Sequence, residues 1–321
     1  QGTAESVSSS ATSAVANVND APTGSVTISG TATEGETLTT ANTLADADVL
    51  GTITNQWKRA GTAISGATSN SYSLVQADVG SEISVTASYT DGQGTAESVS
   101  SSATSAVANV NDAPTGSVTI SGTAKQGETL TAANTLVDAD GLGTIAYGWK
   151  RAGIAITGET SSTYSLVQAD VGSVITVTAS YTDGEGTAES ETSTATSVVA
   201  NVNDAPTGSV TISGTATQGE TLTAANTLAD ADVLGSISYQ WKRAGVAISD
   251  ATSSTYSLVQ ADVGSVITVT ASYTDGEGTA ESVTSTATSA VANVNDAPTG
   301  SVTISGTATQ GETLTAANTL A

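Results

Sequence analysis

The chain has 321 residues, 31 of them acidic and seven basic, for a formal charge of −24, and it contains no Cys, Met, His or Phe. Without cysteine there is no disulfide framework and no thiolate metal site. Without histidine there is no serine–histidine or cysteine–histidine catalysis, and the usual zinc ligand is missing. The acidity argues against nucleic acid and anionic membrane surfaces, which need basic patches, and it favours divalent cations as partners.

The chain repeats itself, and a fixed period decides the architecture. Asn-Asp-Ala-Pro-Thr-Gly begins at Asn19, Asn111, Asn203 and Asn295, each 92 residues after the last. Trp57, Trp149 and Trp241 keep the same spacing. Three full copies therefore span 19–110, 111–202 and 203–294. Residues 1–18 match the end of a copy and 295–321 match the beginning of one. This period suits an independent unit near the roughly 100 residues of an immunoglobulin-like sandwich. The expected partners are the neighbouring repeats of the same chain. No apolar run approaches the ~20 residues of a membrane span, so direct membrane insertion is not expected. No leader is visible at Gln1, as expected of an internal fragment.

Within the first copy, apolar residues alternate with period two, the signature of strands. A first strand is predicted over 24–30, with Val26 and Ile28 inward, and a second over 36–40 around Leu38. Ile53, Asn55 and Trp57 mark a third, on which later copies carry Tyr147 and Tyr239 in place of Asn55. Tyr72 and Leu74 mark the next. Ile83, Val85, Ala87 and Tyr89 mark the one after, and a Ser/Thr/Ala-rich strand closes the copy over 95–109. Glu34-Gly35, Arg59-Ala60-Gly61, Asp78-Val79-Gly80 and Asp91-Gly92 read as turns. The expected fold is all-β, a series of Greek-key immunoglobulin-like sandwiches of about seven strands each. Trp57 is expected in the core, and Lys58-Arg59 on a solvated strand edge.

The acids fall mostly at turns. In such a sandwich the start of the first strand, the loop before the tryptophan strand and the last hairpin share one pole. That pole gathers Asn19, Asp20, Asp46, Asp48 and Asp91 in the first copy, with Glu36 and Asp78 at the opposite pole. The second copy supplies Asn111, Asp112, Asp138, Asp140 and Asp183, with Glu128 and Asp170 opposite. The third supplies Asn203, Asp204, Asp230, Asp232 and Asp275, with Glu220 and Asp262 opposite, and Asn295 and Asp296 open the next. Head-to-tail copies would bring Glu36 and Asp78 towards Asn111, Asp112, Asp138, Asp140 and Asp183. Such a set offers only oxygen donors, and calcium, which takes about 6–8 of them in a flexible geometry, fits better than magnesium. Asp and Asn in loops also serve simply as turn formers.

Asn-Val-Asn-Asp-Ala-Pro at 17–22 resembles the calcium-binding linker of cadherins, and Asp46-Ala47-Asp48 resembles their Asp-Ala-Asp motif. The larger order is Asn-Asp-Ala-Pro, Asp-Ala-Asp-x-Leu-Gly, Trp-Lys-Arg-Ala-Gly, Tyr-Ser-Leu-x-x-x-Asp-Val-Gly and Ser-Tyr-Thr-Asp-Gly. It resembles the immunoglobulin-like or cadherin-like extender repeats of giant RTX adhesins of Gram-negative bacteria, over the whole chain. The resemblance adds Asn17, Asn109 and Asn201 to the expected metal ligands, at the linker position where cadherins often have Asp, and Asp78 only substitutes by position for an absent Asp-Arg-Glu motif. The resemblance implies a non-enzymatic, monomeric, calcium-stiffened rod outside the cell, secreted by a type I system. Such a stalk would project binding domains for cell adhesion and biofilm formation. A repeated carbohydrate- or surface-binding module acting by avidity is the alternative. A hydrolase is disfavoured, since no nucleophile or base stands out.

Overall fold

The computed structural model describes residues 1–321. The chain divides into two compact units, the first comprising Gln1–Ser121, Thr131–Tyr164 and Thr176–Ala195, the second Gly122–Leu130, Ser165–Ile175 and Thr196–Ala321. The first copy lies wholly within the first unit and the third wholly within the second.

In the first unit the first copy folds into β1 (Val26–Ser29), β2 (Thr37–Asn42), β3 (Thr54–Arg59), β4 (Thr62–Ala63), β5 (Ser71–Ser73), β6 (Ile83–Thr90) and β7 (Ala96–Ser100). They form two antiparallel sheets, β1-β2-β5 and β4-β3-β6-β7. Register is set by the side that each strand buries, since a slip of one residue would turn every side chain over. Leu38 therefore sits opposite Tyr72, and Trp57 opposite Val85. The two sheets enclose Val26, Leu38, Trp57, Leu74, Ile83, Val85, Ala87 and Val107. The Trp57 indole is fully buried. Its nitrogen donates to the Ser69 carbonyl at 2.9 Å, so burying it strands no polar atom. Tyr72 packs beside it, with ring centroids 5.9 Å apart. In the second unit the third copy repeats this arrangement around Leu222, Trp241, Ile267 and Val269.

Four expectations need correction. The short strand β4 was not predicted; Ala60 and Gly61, both at positive φ (44° and 79°), fold it back on β3 in a type I′ hairpin. The closing strand does not run as a ladder over 95–109 but stops at Ser100. Beyond it, the Ser101 and Thr104 hydroxyls accept from the Val85 and Ile83 amides. Hydroxyls that occupy backbone partners in this way interrupt a sheet. Arg59 is not a solvated edge residue, and Asp78 does not face a neighbouring copy. Asp78 is fully buried on a short 3-10 turn, Gln76–Asp78. It accepts from Arg59 Nε at 2.7 Å, the Tyr72 hydroxyl at 3.0 Å and the Val75 amide at 2.9 Å. Asp262 accepts in the same way from Arg243, Tyr256 and Val259. A carboxylate so fully engaged within its own sandwich staples the turn to β3. Asp170 is likewise fully buried, and the Val167 amide donates to it at 2.8 Å.

Asp78→Ala would leave the Tyr72 hydroxyl and the Val75 amide without their acceptor. It should cost the first copy about 3 kcal/mol, measurable by urea denaturation followed through tryptophan fluorescence. A loss below about 1 kcal/mol would mean that the staple is incidental.

Candidate metal centre

The acidic pole is built by backbone contacts. Gly51 lies so close to β6 that a Cβ there would meet the Thr90 carbonyl oxygen at 1.9 Å. Only glycine lets the loop preceding β3 settle on the sheet, and this presses Asp46 and Asp48 over its end. Asp46 Oδ1 accepts from the Asp48 amide at 2.9 Å, closing a tight Asx turn. Its Oδ2 accepts from the Tyr89 hydroxyl at 2.5 Å, anchoring the turn to β6. Asp48 Oδ2 in turn accepts from the Asp20 amide at 2.9 Å, fixing the linker. The Gly92 amide donates to the Asp48 carbonyl at 2.9 Å, which docks the last hairpin. Asp91 Oδ1 accepts from Gln93 and Thr95, as a turn former does, while Asp91 Oδ2 is buried with no partner. Asn19 donates to Glu97 at 2.8 Å. Asn17 lies in an exposed stretch without regular structure.

The later copies repeat the set. Tyr181 donates to Asp138, Asp138 accepts from the Asp140 amide, and Asp140 Oδ2 accepts from the Asp112 amide at 2.7 Å. Tyr273, Asp230, Asp232 and Asp204 stand in the same relation in the second unit. Asp183 and Asp275 cap their hairpins through Oδ1 and leave a buried Oδ2 unpaired. Asn111 and Asn203 donate to Glu189 and Glu281. Asn295 and Asp296 are exposed.

Within the first unit the first copy meets the linker and loop of the second. The Ala108 amide donates to the Ala32 carbonyl and the Glu34 amide to the Ala108 carbonyl, holding the linker against the turn after β1. Gln76 Nε2 crosses to Asp140 Oδ1 at 2.8 Å. Carboxylate oxygens of Glu34, Asp112 and Asp140 then lie within 4.8 Å of one another. Three side-chain oxygens of these turns and this linker, Glu34 Oε2, Gln76 Oε1 and Asn109 Oδ1, are buried with no hydrogen-bond partner. Glu36, expected from the sequence in this role, is exposed just before β2, and Glu128 and Glu220 are exposed at the same place in their copies. Glu34, two residues earlier in the turn, takes its place. Gln76 was also missed. Glu34 sits on a turn that the sequence marked and Gln76 just before another, but only the crossing linker shows which residue faces it.

The donors gathered here are oxygens alone, a set suited to a hard cation such as Ca2+. In the second unit, Gln168 Nε2 donates to Asp232 Oδ1 at 2.9 Å, and Gln168 Oε1 and Asn201 Oδ1 are buried and unpaired.

No family model matches the chain, and no curated protein matches it either. Solved structures similar to it include a tetra-tandem repeat from the extending region of a large adhesion protein, at 20% identity over 93% of this chain and 88% of that one, with a TM-score of 0.31. A Ca2+-stabilized adhesin that helps an Antarctic bacterium to reach out and bind ice shares 16% identity over 90% of this chain and 78% of that one, with a TM-score of 0.28. The D1–D4 ectodomain fragment of ICAM-5 shares 15% identity over 81% and 74%, with a TM-score of 0.32. At these scores, function has to be argued from the chemistry of the junctions.

Burial, and after it the hydrogen bond to an aspartate, push the phenols of Tyr89, Tyr181 and Tyr273 well above the ordinary tyrosine range. A raised phenol favours the neutral form in the folded chain. The stability it contributes is whole below the ordinary tyrosine pKa of about 10 and is lost as pH rises beyond it. Alkaline titration by ultraviolet absorbance should show these three ionising among the last of the eight tyrosines. Ionisation of all eight in one ordinary step would contradict the buried pairing.

Proposed function

We propose that the chain is part of the extender, or stalk, of a bacterial surface adhesin, and that calcium closes the junction between its first two copies. The observation that carries this reading is the approach of Glu34, from one copy, to Asp112 and Asp140, from the next, within 4.8 Å. Each like-charged pair at that distance costs about 1–3 kcal/mol between water-like and surface-like dielectrics. A bound divalent cation turns the cost into attraction across the junction. Glu34, Asp112 and Asp140 would hold the ion, and the unpaired oxygens of Gln76 and Asn109 would be drawn into its shell. The role is mechanical: the ion ties the linker and loop of one copy to the turn of the copy before. An extracellular setting, where calcium is plentiful, suits such a clamp. No helix is long and apolar enough to cross a membrane. The likeness to adhesin extender regions agrees with this reading but does not carry it.

A repeated carbohydrate module would need an exposed aromatic platform in each copy. Trp57, Trp149 and Trp241 are at most 1% exposed, which leaves them unfit for stacking on a sugar.

Calcium should bind the full chain and raise its unfolding free energy by about 2.7 kcal/mol at a hundredfold excess over Kd. Asp112→Asn should weaken calorimetric binding at the first junction about tenfold or more. Small-angle scattering should give a larger maximum dimension in calcium than in chelator. The same dimension in both, with no heat of binding, would sink the proposal.

A further inference from the structure

The turn residue that reaches the linker is not the same in every copy. Glu34 recurs as Gln126 and Gln218, while the linker that it meets is identical each time: Ala-Asn-Val-Asn-Asp at 108–112, 200–204 and 292–296. Gln126 uses both ends of its amide. Nε2 donates to Asp204 Oδ2 at 2.8 Å, and Oε1 accepts from the Val202 amide at 3.1 Å. Gln218 makes the same pair of bonds, to Asp296 at 3.2 Å and from Val294 at 3.3 Å. An ionised glutamate has acceptors only. Glu34 cannot donate to Asp112. It meets that carboxylate with like charge, and its own Oε2 is buried without a partner. Asp204, held by the amide, is half-buried, whereas Asp112 is exposed. The preceding residue widens the contrast. Thr33-Glu34 carries one negative charge, Lys125-Gln126 one positive and Thr217-Gln218 none.

We propose that this one position decides how each junction closes. Glutamine latches the linker through its side-chain amide and needs no cation. Glutamate lacks that latch: Gln76 and the Ala108 backbone still touch across the first junction, but the side chain at this position stays open until a divalent cation, calcium, supplies the missing positive charge. For the first junction this rests on the calcium reading above; for the junctions of Gln126 and Gln218 it stands on hydrogen bonds alone. An array that mixes the two residues mixes junctions that are always closed with junctions that respond to calcium. The sequence of turns along the chain then sets where it can flex when calcium falls.

Identical linkers give equal intrinsic exchange rates, so amide hydrogen exchange on the full chain compares the junctions directly. Ala106 in one copy and Val198 in the next make the two linker peptides distinguishable by mass. In chelator, the Val202 amide should exchange about tenfold more slowly than that of Val110, the worth of roughly one hydrogen bond. Calcium should remove the difference. Glu34→Gln should slow Val110 in chelator to the Val202 rate and abolish its response to calcium, and Gln126→Glu should do the reverse at Val202. Equal exchange at Val110 and Val202 in chelator would overturn the proposal, as would a Glu34→Gln chain whose Val110 is unchanged. If Glu34→Gln protects Val110 but calcium never does so in the parent chain, the calcium reading fails and the latch stands.

Discussion

One buried aspartate, Asp140 or Asp232, holds each of the first two junctions. Asp140 accepts the Asp112 amide from its own linker and the Gln76 side chain from the copy before. Through its own amide it is tied to Asp138, and through Asp138 to Tyr181 in the following sandwich. A hydrogen-bonded path thus runs from the interior of one sandwich to the turn of its neighbour. Burying a carboxylate is costly unless it is hydrogen-bonded, and these donors meet the cost in both units by the same means. Glu34, the linker and the last hairpin are placed around this arrangement.

What the path leaves unfinished is as informative as what it satisfies. Buried side-chain oxygens without partners are rare in native proteins and ask for an explanation. Here they recur in register. Asp91, Asp183 and Asp275 spend one oxygen on a hairpin and keep the other unpaired, and the side-chain carbonyls of Asn109 and Asn201 are unpaired too. The two readings of such residues, turn former and ligand, are not alternatives, because one carboxylate has enough acceptor sites to serve as both.

The core supports this division of labour. The first and third copies each pack around one fully buried tryptophan and a few aliphatic residues, and aromatics make up only 3% of the chain. Sandwiches with so lean an interior gain modestly from area burial, so contacts at the junctions weigh more in the whole.

The alternation of apolar residues and the turn signals made the strands legible, because side-chain burial on a pleated sheet has a period of two and leaves its trace in the order of residues. Trp57 in the core and the Asp-Ala-Asp loop at the sheet end followed from the same reasoning. The sequence could not show which acids look outward. Asp78 and Glu34 both belong to turns at the same pole. Asp78 is drawn inward by Arg59 and Tyr72, and Glu34 is turned towards the linker. That choice depends on partners 19 and 78 residues away in the chain, and no local pattern encodes it. The period of 92 residues, the lack of nitrogen and sulfur ligands and the Glu-to-Gln exchange are fixed by the sequence alone. Only the tertiary structure decided which carboxylates share a junction, because each sheet fixes the direction in which its turns point and the turn residues of one copy meet the linker of the next.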